Sequence, residues 1–445
     1  MALHELSAAE AARRIAAGTL TAEALMQACL ERIKARESAV QAWAWLDPGH
    51  ALAAARAADR AEPRGPLHGI PVGLKDVIDT ADMPTENGTG LHAGRQPAQD
   101  AEVTEQLRAG GAVVMGKTVT TELATYLPGK TRNPWNPAHT PGGSSSGSAA
   151  AVAAGMVALA VGTQVTGSVI RPAAFCGVVG FKPSLGLISR TGVLAQSDLL
   201  NHMGGFARSV EDVALLTDAI GGFDAADVAS FPRGPSRLHV TAMSEPPRVP
   251  RLALVRTPFW NRTDTETRAA LEAVVSLPGV IAEEVDLPDD FAAAMDHHKT
   301  LCEADIAWNF RFLSSEERTR VSQRLQTVIA SGESHTAVAY HAAAAARDRY
   351  LGHLAMLFDR YDALLTPAAV GIAPASLDST GDPLFCGTWT LCGTPALTLP
   401  TREPKSGMPL GMQLIAGPRD DARLLRTGRW LEVRIAASDR RPAFG

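Results

Sequence analysis

The amino-acid sequence predicts an α/β fold, built as one large domain or as two to three of average size, on three observations. Short apolar runs at residues 69–74, 112–115, 156–161, 252–255 and 363–365 alternate with longer stretches of helical periodicity. The 445 residues are 46% hydrophobic, enough for a substantial core. Residues 140–184 are rich in Gly, Ser and Ala and carry charge only at Arg171 and Lys182, a composition that lets backbone segments approach closely.

In chain order, residues 7–37 read as an N-terminal helical hairpin, interrupted at Leu20-Thr21, with Leu25, Cys29 and Ile33 on one face. Residues 69–76 read as a buried strand that ends on the charged pair Lys75-Asp76. A helix over 101–109 and a strand over 112–115 follow, then an Ala-rich helix over 149–155 and a strand over 156–161. The proline-rich stretch 232–250 reads as a surface connection, and long helices occupy 291–361. No internal repeat is found.

Composition narrows the class. Lys and Arg number 42 against 47 Asp and Glu, with no basic run suited to phosphates, so nucleic-acid binding is not expected. The cysteines Cys29, Cys176, Cys302, Cys386 and Cys392 lack CxxC spacing and nearby His pairs, so neither a disulfide framework nor a metal site is expected, and a reducing cytoplasm fits. The N-terminus has early charges and no secretion pattern, and no apolar run reaches the ~18 residues of a membrane span.

Two motifs invite wrong readings. Residues 111–118 satisfy the phosphate-loop pattern, but a helix precedes Gly111 and the middle residues are strand-like, which makes Lys117 a strand-end lysine. Residues 143–147 satisfy the nucleophile-elbow pattern with Ser145 at its centre, but a proline-broken loop stands where that elbow needs a strand. What remains is a pair of serine-bearing glycine loops, 142–148 and 162–172, in a chain whose histidines all lie outside them. The helix and strand between them can bring both to one end of a sheet.

Gly-Gly-Ser-Ser, a helix, Gly-Thr-x-x-x-Gly-Ser and then Pro-Ala-x-x-Cys-Gly-x-x-Gly-x-Lys-Pro resemble the amidase signature family. Residues 69–76, 112–118, 393–396 and 409–414 extend the resemblance, which is sparse between about 222 and 360. It implies a large mixed, mostly parallel twisted sheet with helices on both faces. It implies one domain over 1–445: a helical segment (1–60), a signature core (65–220), a variable, mostly helical substrate side (221–360) and closing strands with a helix (361–430). It also implies Ser168 as nucleophile, Ser144 as proton relay, Lys75 as base, a cis peptide at Gly143-Ser144, and an oxyanion hole of backbone N–H groups from Val165, Thr166, Gly167 and Ser168.

The chemistry is consistent with those roles, because a serine needs a base and a lysine serves as one only when burial keeps it neutral. Gln164 and Thr166 depart from the Asp and Gly of many members; Thr166 adds a Cβ beside the oxyanion site. Gly143, Ser145 and Arg171 read as supports, with Arg171 fixing the nucleophile turn through carbonyls or acids. Lys182 reads as structural.

Tyr126, Leu127, Met203, Trp308 and Trp389 are expected to wall the substrate pocket, with Ile306 and Phe310 on the same helix as Trp308. Those walls suggest a neutral, partly hydrophobic amide, aryl amides included, or a carbamate (urethane). The alternative is the amidase subunit of a tRNA-dependent amidotransferase acting as a glutaminase. An esterase or α/β-hydrolase using Ser145 ranks last. A small-molecule substrate, no cofactor, no metal, no membrane and at most a homodimer complete the expectation.

Overall fold

The chain enters the fold through capped helices. The Ser7 hydroxyl accepts from Glu10 N to start α1 (Ala8–Ala16), and Thr21 accepts from Ala24 N to start α2 (Ala22–Val40), which places the expected break at Leu20-Thr21. Asp47 accepts from Gly49 N and His50 N at the start of α3 (Pro48–Arg60), where Pro48 occupies a position whose amide needs no partner.

The computed structural model describes residues 2–234, 237–401 and 406–437. Its strands are β1 (Trp43–Trp45), β2 (Pro71–Lys75), β3 (Val113–Thr118), β4 (Leu159–Gln164), β5 (Val179–Lys182), β6 (His202–Ala207), β7 (Arg251–Arg256), β8 (Ile281–Asp286), β9 (Ala363–Pro367), β10 (Ala396–Pro400) and β11 (Gly411–Ile415). They form one sheet of 11 strands in the order β1-β3-β2-β4-β6-β5-β10-β11-β9-β7-β8. The sheet is mixed and flanked by helices, as expected. The balance of directions differs from the expectation: β3-β2-β4 and β9-β7-β8 are parallel blocks, while the run β4-β6-β5-β10-β11-β9 and the pair β1-β3 are antiparallel. Tight hairpin-like returns are available only to antiparallel neighbours, and the glycine-rich middle of the chain uses them.

The remaining helices are α4 (Glu102–Ala109), α5 (Ser146–Ala153), α6 (Ile170–Cys176), α7 (Val210–Ile220), α8 (Leu238–Ala242), α9 (Thr265–Val275), α10 (Ala294–Asn309), α11 (Ser315–Arg320), α12 (Gln323–Ser334), α13 (Ala337–Arg360), α14 (Gly387–Leu391) and α15 (Asp421–Ala437). The short α8 falls inside the stretch read as a plain connection, held by Asp218, whose carboxylate accepts from Leu238 N and His239 N.

Strands β2 to β6 are buried along their whole length, which explains their apolar and small-residue runs. A second apolar cluster gathers Val165, Ile170, Leu301, Cys302, Ile306, Leu325, Tyr350 and Trp389 between α10, α12, α13 and α14. All five cysteines are free and buried. Burial pushes the thiols of Cys29, Cys302, Cys386 and Cys392 up to about 12. No described helix is long and apolar enough to cross a membrane.

Candidate active site

Lys75 is the last residue of β2 and is fully buried between β3 and β4. Its Nζ hydrogen-bonds Ser144 Oγ at 2.7 Å and Thr163 Oγ1 at 2.7 Å. Among the described residues it forms no ion pair with a carboxylate. Burial alone therefore sets its titration and holds it well below the ordinary lysine range. A desolvated amine with two hydroxyl partners and no counter-charge favours the neutral form that a base requires.

Ser144 is buried and follows a cis peptide bond from Gly143. A Cβ at Gly143 would lie 2.7 Å from Thr380 Cγ2, so only glycine fits there. Ser145 takes neither of the roles considered for a nucleophile elbow: it is fully buried, its hydroxyl donates to Thr163 O at 3.1 Å, and Thr163 N approaches the same hydroxyl at 3.3 Å. Its support for Lys75 is thus indirect, through the backbone of Thr163.

Ser168 lies in the turn that joins β4 to α6 and is half-buried. Among the described residues, the N–H groups of Val165, Thr166, Gly167 and Ser168 have no hydrogen-bond partner, whereas the next two, Val169 N and Ile170 N, donate to Gln164 Oε1 at 2.8 and 3.0 Å. Unpaired backbone donors in a largely buried turn are costly, and four in succession form a ready receptor for an anionic oxygen. Gln164 therefore does the capping from inside the turn, and its Nε2 donates to Thr390 Oγ1 at 2.9 Å. Arg171 is buried; its Nη2 donates to Gly143 O at 2.7 Å and its Nε to Thr380 O at 2.7 Å. It fixes carbonyls, as expected, and ties the two serine loops together.

A family model described as Amidase matches residues 24–425. The chain belongs to the amidase family. Among curated proteins it is similar to one component of the glutamyl-tRNA(Gln) amidotransferase of Chloroflexus aggregans, 36% identical over 469 residues that cover 96% of each chain. Among solved structures it is similar to a protein from a vestigial complex that bears on the origins of an s-triazine catabolic enzyme, at 27% identity and a TM-score of 0.89 over 96% of this chain and 98% of that one. It is also similar to the peptide amidase of Stenotrophomonas maltophilia, at 31% identity and a TM-score of 0.85 over 98% of both.

Within this amidase fold the other lysines are accounted for locally. Lys117 is buried at the end of β3 and donates to Ile78 O at 2.6 Å and Thr85 Oγ1 at 2.5 Å, and burial lowers it to about 8. That leaves no amine for a phosphate. Lys182 is buried and donates to Thr394 O, with its pKa lowered by burial to about 7.

The expected pocket walls divide. Tyr126 and Leu127 stand 42% and 40% exposed at the rim, and the neighbouring Cys302 thiol together with burial pushes the Tyr126 hydroxyl pKa up. Met203, paired with Thr163 across β4 and β6, and Trp389 are packed into the core. Trp308 is a correction: it is 62% exposed on the outer side of α10, under the Arg311 guanidinium at 3.8 Å, while Ile306 and Phe310 are buried among the helices. The α10 residues that reach the turn are His298, whose Nε2 lies 2.8 Å from Val165 O, and Cys302, beside the Thr166 side chain. Burial lowers His298 to about 4, so it is neutral at ordinary pH. Sequence reasoning gave no role to Thr163, His298 or Thr390. Only Thr163 left a signal, as the threonine of the second glycine loop.

Proposed function

We propose that this amidase hydrolyses a neutral linear amide through a seryl acyl-enzyme. Ser168 Oγ attacks the carbonyl carbon while its proton passes to Ser144 Oγ and the Ser144 proton passes to Lys75 Nζ. The carbonyl oxygen takes up the negative charge against the N–H groups of residues 165–168. The proton returns by the same relay to the leaving nitrogen as the C–N bond breaks, and water then repeats the sequence on the acyl-enzyme. The observation that carries this reading is the Lys75 amine, desolvated, without a counter-ion, and 2.7 Å from Ser144 Oγ.

A fluorophosphonate probe, with the modified residue identified by peptide mapping, tests it. Labelling is expected at Ser168 and is expected to vanish in Ser168→Ala. Modification of Ser145 in the parent protein sinks the assignment.

The rim formed by Tyr126 and Leu127 beside Cys302 favours a partly hydrophobic acyl group, and aryl carbamates can react along the same path. A panel of anilides, fatty amides, short aliphatic amides, urethanes and glutamine ranks these. The second reading, a glutaminase component of an amidotransferase, is supported by the identity of the curated relative. Ammonia release from glutamine that rises when the other components of that amidotransferase are added selects it over the first.

A further inference from the structure

We infer that His298 and Thr390, from helices remote in sequence, are positioning residues that aim the oxyanion donors by holding the opposite faces of the same peptides. In a trans peptide the C=O and the following N–H point in opposite directions, so fixing one fixes the other. The Val165 carbonyl accepts from His298 Nε2 at 2.8 Å, which orients the Thr166 N–H. The Thr166 carbonyl accepts from Thr390 Oγ1 at 2.8 Å, which orients the Gly167 N–H. The Gly167 carbonyl accepts from Arg171 N at 2.9 Å, which orients the Ser168 N–H. Three successive peptides are thus gripped from outside the turn while their N–H groups are left without partners.

Proton direction is settled at both ties. A carbonyl only accepts, so His298 carries its proton on Nε2. Thr390 Oγ1 already accepts from Gln164 Nε2, and its own proton goes to Thr166 O at 2.8 Å in preference to Cys386 O at 3.2 Å. Gln164 consequently serves both sides: its Oε1 removes Val169 N and Ile170 N from the receptor and its Nε2 sets the Thr390 hydroxyl. Both ties leave the side chains of Lys75, Ser144 and Ser168 untouched, so their effect is expected on the rate of bond-making and not on binding.

This inference rests on Ser168 being the nucleophile, and the test separates the two. The probe is again a fluorophosphonate, whose addition to serine also builds negative charge on an oxygen in the receptor; saturation kinetics split kinact from KI. For His298→Leu and Thr390→Val, kinact is expected to fall by about 10- to 100-fold with KI changed less than about threefold. His298→Gln and Thr390→Ser, which restore a donor, are expected to recover most of the rate. Circular dichroism and urea midpoints identify variants that fold, and the Thr390 pair carries the test should His298→Leu not fold. A parent labelled at Ser168, with kinact unchanged in folded variants or with no recovery in the donor-restoring pair, overturns the ties alone. A parent not labelled at Ser168 overturns the nucleophile assignment instead.

Discussion

Lys75→Met keeps most of the side-chain volume and removes the amine, so it probes the protonation state of the base through folding as well as through rate. An unfolded lysine titrates near 10.5, and burial holds folded Lys75 well below that. Between the two values the unfolded chain binds one proton more than the native protein at this site. Native stability therefore rises with pH across that window by about 1.4 kcal/mol per unit. This contribution is fully present above 10.5 and is lost as pH falls through the folded value. The variant lacks it, and Lys117 and Lys182 remain in both proteins and cancel. From about pH 9.5 down to about pH 7.5, the stability of Lys75→Met relative to the parent is expected to climb by roughly 3 kcal/mol. Urea midpoints at several pH values measure this directly. Parallel curves for the two proteins would mean that folded Lys75 keeps its proton and cannot act as the base, whatever the effect on rate. Hydrolysis itself is expected to drop by about 100- to 10,000-fold.

Gly167→Ala would place a Cβ 2.7 Å from Arg171 Nη1 and 3.1 Å from Cys386 Cβ, so the turn must shift and Ser168 labelling is expected to slow by about tenfold or more. Gln164→Leu leaves Val169 N and Ile170 N without their acceptor and is expected to lower stability by about 1–3 kcal/mol, read from the urea midpoint. Because the Trp308 ring lies in solvent, Trp308→Ala is expected to leave turnover within about twofold, whereas Tyr126→Ala at the rim is expected to raise KM for the best amide of the panel by about tenfold. Steady-state kinetics on that amide separate the two.

Lys75, Ser144 and Ser168 were legible because each sits in a short contiguous motif whose chemistry is local: an apolar strand ending on an amine, and hydroxyls set among glycines. Ser145 was legible as a support, since the proline-broken loop before it excluded an elbow. Thr163 was quoted within its motif, yet its contact with Lys75 spans two strands and depends on β4 pairing with β2. His298 and Thr390 lie 133 and 224 residues from the carbonyls they bind, a separation no spacing rule crosses. Trp308 was misplaced because α10 mixes apolar and charged residues on several faces, so its inward face emerges only from packing against the turn. Sheet order was illegible for the same reason: β10 pairs with β5 and β9 with β7, partners far apart in sequence.

The five buried free cysteines have a practical consequence. With none accessible and their thiols held protonated, the native protein offers no fast target to a maleimide or disulfide reagent. Any rapidly labelled thiol is therefore a report of local opening, and its position says where. Cys29 watches the N-terminal helices, Cys176 the heart of the sheet, Cys302 the helix over the serine turn, and Cys386 and Cys392 the two ends of α14. Pulsed labelling in rising denaturant, resolved by mass, would read the order in which these regions come apart without introducing a single probe.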